Sequence, residues 1–80
     1  MIPLYGFLEG DTIGLLILAD EGDTVAMLAD KLQTSARVRV EPRKNVKLLH
    51  NGQMLDAQIT VGQARIEALD RFDVVENMGR

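Results

Sequence analysis

The spacing of apolar positions changes along the chain, and each spacing predicts an element. Residues 2–8, Ile-Pro-Leu-Tyr-Gly-Phe-Leu, predict a first strand, with Pro3 confining its start to an edge or end of a sheet. Glu9-Gly10-Asp11 is a turn signal of hairpin length. Thr12 to Ala19 is rich in branched apolar residues and predicts a second strand. Asp20 to Asp23 is polar and contains Gly22, so the chain turns there. The period then lengthens. Val25, Leu28, Ala29 and Leu32 fall at i, i+3, i+4 and i+7, one face of a helix running from about Thr24 to about Thr34. Asp23 or Thr24 caps its free amides, the acids before it suit the positive end of the dipole, and Lys31 lies toward the negative end.

Pro42 breaks regular structure after the helix. Val46 to His50 predicts a third strand. Asn51-Gly52 follows, and both residues tolerate the positive φ of a type I′ hairpin turn. Gln53 to Leu55 is then a short return strand, and Ile59 to Ala64 a brief helical turn capped by Thr60. Arg71 to Glu76 is the last strand, with Phe72 and Val74 on one face. One amphipathic helix must bury its stripe, and a mixed sheet of four to five strands is the large apolar surface available to it. This order predicts one α+β domain over residues 1–80, a ubiquitin-like β-grasp whose last strand pairs with its first. An all-β barrel is the competing arrangement, and the helix at 24–34 argues against it.

Composition adds bounds. A chain of 80 residues makes one small domain, and 46% apolar with 26% charged residues is the balance of a folded globule. There is no cysteine, which fits a reducing compartment and removes thiolate chemistry. No apolar run approaches the roughly 20 residues that span a bilayer, and Gly10-Asp11 interrupts the N-terminus before a signal-peptide core forms. The expected location is the cytoplasm, away from membranes. An isoelectric point near 4.9 argues against nucleic acid as the main partner.

Residues able to carry chemistry are sparse. His50 is the single histidine and reads as a surface or sheet-edge imidazole. One helix without a histidine cannot build a carboxylate-bridged di-iron site, which needs Glu-x-x-His pairs on facing helices. No phosphate loop, serine–histidine pair or cysteine nucleophile is present. The acids at 20, 21 and 23 lack the twelve-residue spacing of a calcium loop and read as solvated loop and cap residues. No catalytic, cofactor-binding or metal-binding residue is assigned.

Two surfaces remain as partner-binding candidates. In the second strand Ile13, Leu15, Ile17 and Ala19 point to one face, and Gly14, Leu16 and Leu18 to the other. A β-grasp covers one sheet face, so Leu16 and Leu18 either meet another protein or are singly exposed surplus leucines. The second surface comes from segregated charge. Residues 1–30 carry six acids and no Lys or Arg, residues 31–47 six bases and one acid, and residues 48–80 five acids and three bases. Arg37, Arg39, Arg43 and Lys44 lie in the basic stretch, with Val38 and Val40 placed to pack inward between outward arginines. Charge alone is consistent with a carboxylate-binding stripe and with a solvated connection. Aromatic interleaving is missing, which argues against a nucleic-acid platform.

Arg39-Val40-x-Pro42-Arg43-x-x-Val46 behind the helix resembles the corresponding segment of the small gamma (B) subunit of bacterial toluene and related monooxygenases. Asp23-Thr24 before a helix with Val25, Leu28-Ala29 and Lys31 is similar to that family's capped helix. Thr60 through Ile66 and Asp73-Val74-Val75 resemble its closing turn and strand. The resemblance covers nearly the whole chain. It implies a ubiquitin-like β-grasp without metal, bound to a large di-iron hydroxylase alpha subunit and a beta subunit, with two copies of each chain. It also implies an oxygenase acting on aromatic or alkene hydrocarbons, its di-iron centre held by the large subunit. Thr34-Ser35-Ala36 forms a shorter connection than in relatives, and Asn51-Gly52 makes a tight hairpin where relatives are more charged. Behind a capped helix and at this family spacing, the basic segment reads as part of a docking surface for a larger protein. The alternative function is a stand-alone bacterial ubiquitin-like interaction module of secretion-system type. The Met78-Gly79-Arg80 end, without a Gly-Gly tail, argues against conjugation.

Overall fold

Leu4, Gly6 and Leu8 turn toward the core and Pro3, Tyr5 and Phe7 away from it, the period of two that defines a half-buried strand. A computed structural model describes residues 1–77; the Met78-Gly79-Arg80 tail lies outside the described residues. Six elements follow in order: β1 (Ile2–Leu8), β2 (Gly14–Ala19), α1 (Val25–Ala36), β3 (Val46–His50), β4 (Gln53–Met54) and β5 (Arg71–Glu76). The strands form one sheet in the order β2-β1-β5-β3-β4. β1 and β5 run parallel in the centre, and the other pairs are antiparallel. The helix packs on one face of this mixed sheet, which is the β-grasp arrangement.

The core lies between α1 and the sheet. Leu28, Leu32 and Ala36 are fully buried against Leu4, Phe72 and Val74, with Val61 closing one end. Each buried leucine or phenylalanine contributes about 1.5–3 kcal/mol relative to an exposed one. Ala36 extends the apolar stripe one turn past Leu32, so the helix continues through Thr34-Ser35-Ala36, two residues beyond its expected end. These three residues are helical and do not form a connection.

The start of α1 shows how its free amides are satisfied. Met27 N–H donates to Thr24 Oγ1 at 3.1 Å, as a capping threonine should. Val25 and Ala26 N–H donate to the carbonyls of Ile59 and Ala57, at 2.8 and 3.0 Å. The loop before β5 therefore caps the helix from across the fold. That loop is itself held by a reciprocal pair: Gln63 N–H donates to Thr60 Oγ1, and Thr60 N–H to Gln63 Oε1.

Two boundaries differ from the sequence expectation. β2 begins at Gly14 rather than Thr12, because Asp11 takes the Ile13 amide into a side-chain bond and holds residues 9–13 as a loop. β4 stops at Met54, although Leu55 N–H still donates to Leu48 O at 3.0 Å. The hairpin between β3 and β4 turns through Asn51 at φ 54° and Gly52 at φ 77°. Among the described residues, no helix is long and apolar enough to cross a membrane.

Candidate docking surface

The outer sheet face, opposite the helix, carries the exposed apolar side chains. Tyr5 stands opposite Leu16, and Pro3 opposite Leu18, across the β1–β2 pair. Tyr5, Leu16 and Leu18 are 45, 57 and 49% exposed. They form one contiguous apolar strip at the β2 side of the sheet. Phe7 follows on the same face, covering the space a Cβ on Gly14 would need. Arg71 lies over the Phe7 ring at 4.0 Å and binds Asp73 with two hydrogen bonds, so the centre of this face is polar. Tyr5 was not singled out from sequence. Its signal was present in the β1 alternation, since it lies between inward-facing Leu4 and Gly6.

The basic segment is a turn, and this overturns the expected inward packing of both valines. Arg39 and Val40 N–H groups both close on the Ala36 carbonyl at 2.9 Å, so residues 37–40 fold back rather than extend. An extended chain would put Val38 and Val40 on one face; the turn leaves Val38 at 83% exposure while Val40 packs on the core. The arginines divide as well. Arg39 binds Asp11 with three hydrogen bonds of 3.0–3.1 Å, and the Asp11 side chain is shielded from solvent. The Arg39 hydrogen bonds, foremost, hold the Asp11 carboxyl below its ordinary pKa. Arg43 reaches the Glu9 carbonyl and lies near the Glu9 and Glu76 carboxylates. Buried Gln33 clamps the Arg43 backbone, accepting from its N–H at 2.7 Å and donating to its carbonyl at 3.0 Å. Arg39 and Arg43 thus hold the segment onto the β1–β2 loop. Arg37 and Lys44 are exposed, and neither has an ion-pair partner among the described residues.

The six candidates therefore do not form one patch. Leu16 and Leu18 share the outer sheet face, whereas the basic residues occupy the far end of α1 and the loop after it. A groove of about 640 Å³ runs between α1 and β3, floored by Val25, Ala29, Leu48 and Leu55 with Lys44 at its side.

His50 is not a surface imidazole. It is buried at 7% exposure, with Nε2 2.9 Å from Asp70 Oδ2. Asp70 also accepts the Glu67 N–H, and that bond, followed by the one to His50, pulls its carboxyl below the ordinary value. The pair joins the end of β3 to the turn before β5. No group of three His, Asp or Glu side chains that could hold a metal occurs among the described residues.

A family model for the toluene-4-monooxygenase system protein B matches residues 1–75. The chain belongs to that family. Its members are components of a monooxygenase system, and the match runs from β1 into β5, ending one residue before that strand does. No curated protein matches the sequence. Among solved structures, a chain of "Toluene 4 monooxygenase HD Complex with Inhibitor 4-Bromobenzoate" superposes with a TM-score of 0.87 at 20% identity, covering 95% of this chain and 98% of that one. A Caldiarchaeum subterraneum ubiquitin gives 0.79 at 15% identity, over 98 and 95%. A chain of "Molecular Mimicry of SUMO promotes DNA repair" gives 0.78 at 23%, over 92 and 89%. At these identities the structural likeness shows the ubiquitin-like fold.

Proposed function

We propose that this protein is the non-catalytic small (gamma) subunit of a di-iron hydrocarbon monooxygenase hydroxylase, docking on the large catalytic subunit and stabilising it. Family membership supports its place in such a system. The observation that carries docking is the apolar strip of Tyr5, Leu16 and Leu18 on the uncovered sheet face. Arg37 and Lys44, exposed and free of ion pairs among the described residues, lie apart from this strip, at the end of α1 and in the loop after it, and offer charge for a separate contact. In this reading the di-iron centre and the hydrocarbon belong to the large subunit, a beta subunit completes the assembly in two copies of each chain, and the complex works in the cytoplasm. The role of this chain is to cover a surface of its partner.

Covering the exposed half of each leucine is worth about 1 kcal/mol, and a carboxylate buried in its place adds a desolvation penalty of a few more. Leu16→Asp with Leu18→Asp is therefore expected to weaken association at least about a hundredfold. The experiment is affinity capture from the native host. Wild-type protein should return a large chain with two Glu-x-x-His motifs, and the double variant should not. Capture of no large hydroxylase by the wild type would sink the reading.

A further inference from the structure

The free edge of β2 specifies the kind of contact the partner makes. Bonds along β1 establish which backbone groups face outward. Tyr5 and Glu9 N–H donate to Asp70 O and Val74 O, and Leu69 N–H donates to Pro3 O. The odd-numbered residues of β1 thus turn their backbone groups toward β5, and the even-numbered ones toward β2. In the unbroken register Leu4 faces Ile17 and Gly6 faces Leu15, so Gly14, Leu16 and Leu18 direct their N–H and C=O groups away from the sheet. Lys31 Nζ corroborates this, reaching the outward Leu18 carbonyl at 3.0 Å.

Lys31 on the Leu18 carbonyl covers one end of this edge, and the strand itself carries no further protection. Its six residues contain no proline and no charge, and the register has no bulge. Natural edges of this length are ordinarily blunted by one of those devices. The opposite edge, β4, is only two residues long. Beside β2 a groove of about 440 Å³ separates it from α1, walled by Asp30, Lys31, Thr34 and Ser35. Outward N–H and C=O groups repeating every second residue match another extended strand, which an incoming helix cannot supply.

We infer that an extended segment of the partner adds to the β2 edge as a sixth strand. This rests on the docking reading above and names its contact. Alternate side chains of the added strand lie beside Leu16 and Leu18 on the outer face, and the others enter the groove against α1. Lys31 releases the Leu18 carbonyl and keeps its 2.7 Å pair with Asp23. Charge identifies the segment further. Asp20, Glu21 and Asp30 border the C-terminal half of the edge, and their carboxylates have no ion-pair partner among the described residues. The added strand is therefore apolar in alternation and carries Lys or Arg at the end beside Asp20 and Glu21. A second copy of this chain fits poorly. Two-fold pairing of β2 with itself joins two chains of net charge −3 and leaves the unpaired Asp20 and Glu21 of each copy uncompensated.

The test is residue-resolved amide hydrogen exchange on the complex with the hydroxylase captured from the host. Exchange at the Leu16 and Leu18 amides should slow by at least about tenfold on assembly, while Leu15 and Ile17, already paired to β1, change little. Asp20→Lys with Glu21→Lys should weaken assembly and leave the urea midpoint of the isolated protein near wild type. Assembly with unchanged exchange at Leu16 and Leu18 would overturn the strand addition while leaving docking intact. Protection that appears without hydroxylase and grows with protein concentration would also overturn it, in favour of a second copy. Absence of any assembly would remove the docking reading itself.

Discussion

Replacing Gly6 with alanine tests the packing between helix and sheet at one methyl group. Gly6 lies in β1 with its Cα facing the helix. A Cβ built there meets Phe72 Cζ at 2.8 Å and the two Leu32 methyls at 2.9 and 3.2 Å. Both neighbours are fully enclosed, at 0% exposure, so neither ring nor leucine has space to retreat. Two effects oppose each other. Alanine restricts the unfolded chain and stabilises by about 0.4–1 kcal/mol where its backbone fits. Forcing a methyl into a filled core costs about 1–3 kcal/mol. The second wins, for a net loss of about 1–2 kcal/mol. Urea unfolding of the isolated protein should show the midpoint falling by about 1 M, given a slope of about 1–2 kcal/mol/M for a domain of this size. Melting should drop by roughly 4–8 °C per kcal/mol. Gly22→Ala is the control: no atom lies within 4 Å of its Cβ position and its φ is not positive, so only the unfolded-state effect acts and the midpoint should rise. A Gly6→Ala midpoint equal to or above wild type would refute the reasoning, because it would mean the β1–α1 contact has slack.

Arg37→Glu should leave stability within about 0.5 kcal/mol, as surface substitutions do, whereas Arg39→Glu should lower the urea midpoint clearly by facing a second carboxylate toward shielded Asp11. Gly52→Ala places a Cβ at φ 77° and should destabilise by about 1–2 kcal/mol, read by the same unfolding curve. Asp23 is held below its ordinary pKa, first by the hydrogen bond from Lys31 and then by the Asp20 N–H. A depressed folded pKa gives stability that is present above the unfolded carboxyl value, near pH 4, and is lost as pH falls through the folded one. Stability should therefore fall in acid below about pH 4, and Asp23→Asn, starting lower at neutral pH, should lose less over that range.

The elements were legible because their signals are local. The period of two in Ile2–Leu8 and Arg71–Glu76, the helical spacing of Val25 to Leu32 and the Asn51-Gly52 turn each depend on neighbours within a few residues. The candidate surface was half legible. Leu16 and Leu18 followed from alternation in β2, and the structure leaves both exposed on the outer face. The basic segment was misread where alternation was extended through residues 37–40, which turn back onto Ala36. Arg65 and Leu69 take left-handed φ values of 59° and 68° without glycine or asparagine to announce them. The Leu69 turn is held by a distant contact, its N–H on the Pro3 carbonyl, whereas the Arg65 turn closes locally, its N–H on the Gly62 carbonyl.

By itself the sequence determined where strands and helix lie, the β-grasp they must form and, through its family spacing, the system this chain belongs to. Those follow from apolar periodicity, turn chemistry and residues read in order. Only the tertiary structure decided which charges are committed and which are free. Arg39 and Asp11 are 28 positions apart, Lys31 and Asp23 eight, and Ala57 and Ile59 cap a helix that begins at Val25. A guanidinium looks the same in a sequence whether it meets a partner protein or its own carboxylate. The choice is made by which loops the sheet order brings within about 3 Å, and no local pattern encodes that distance.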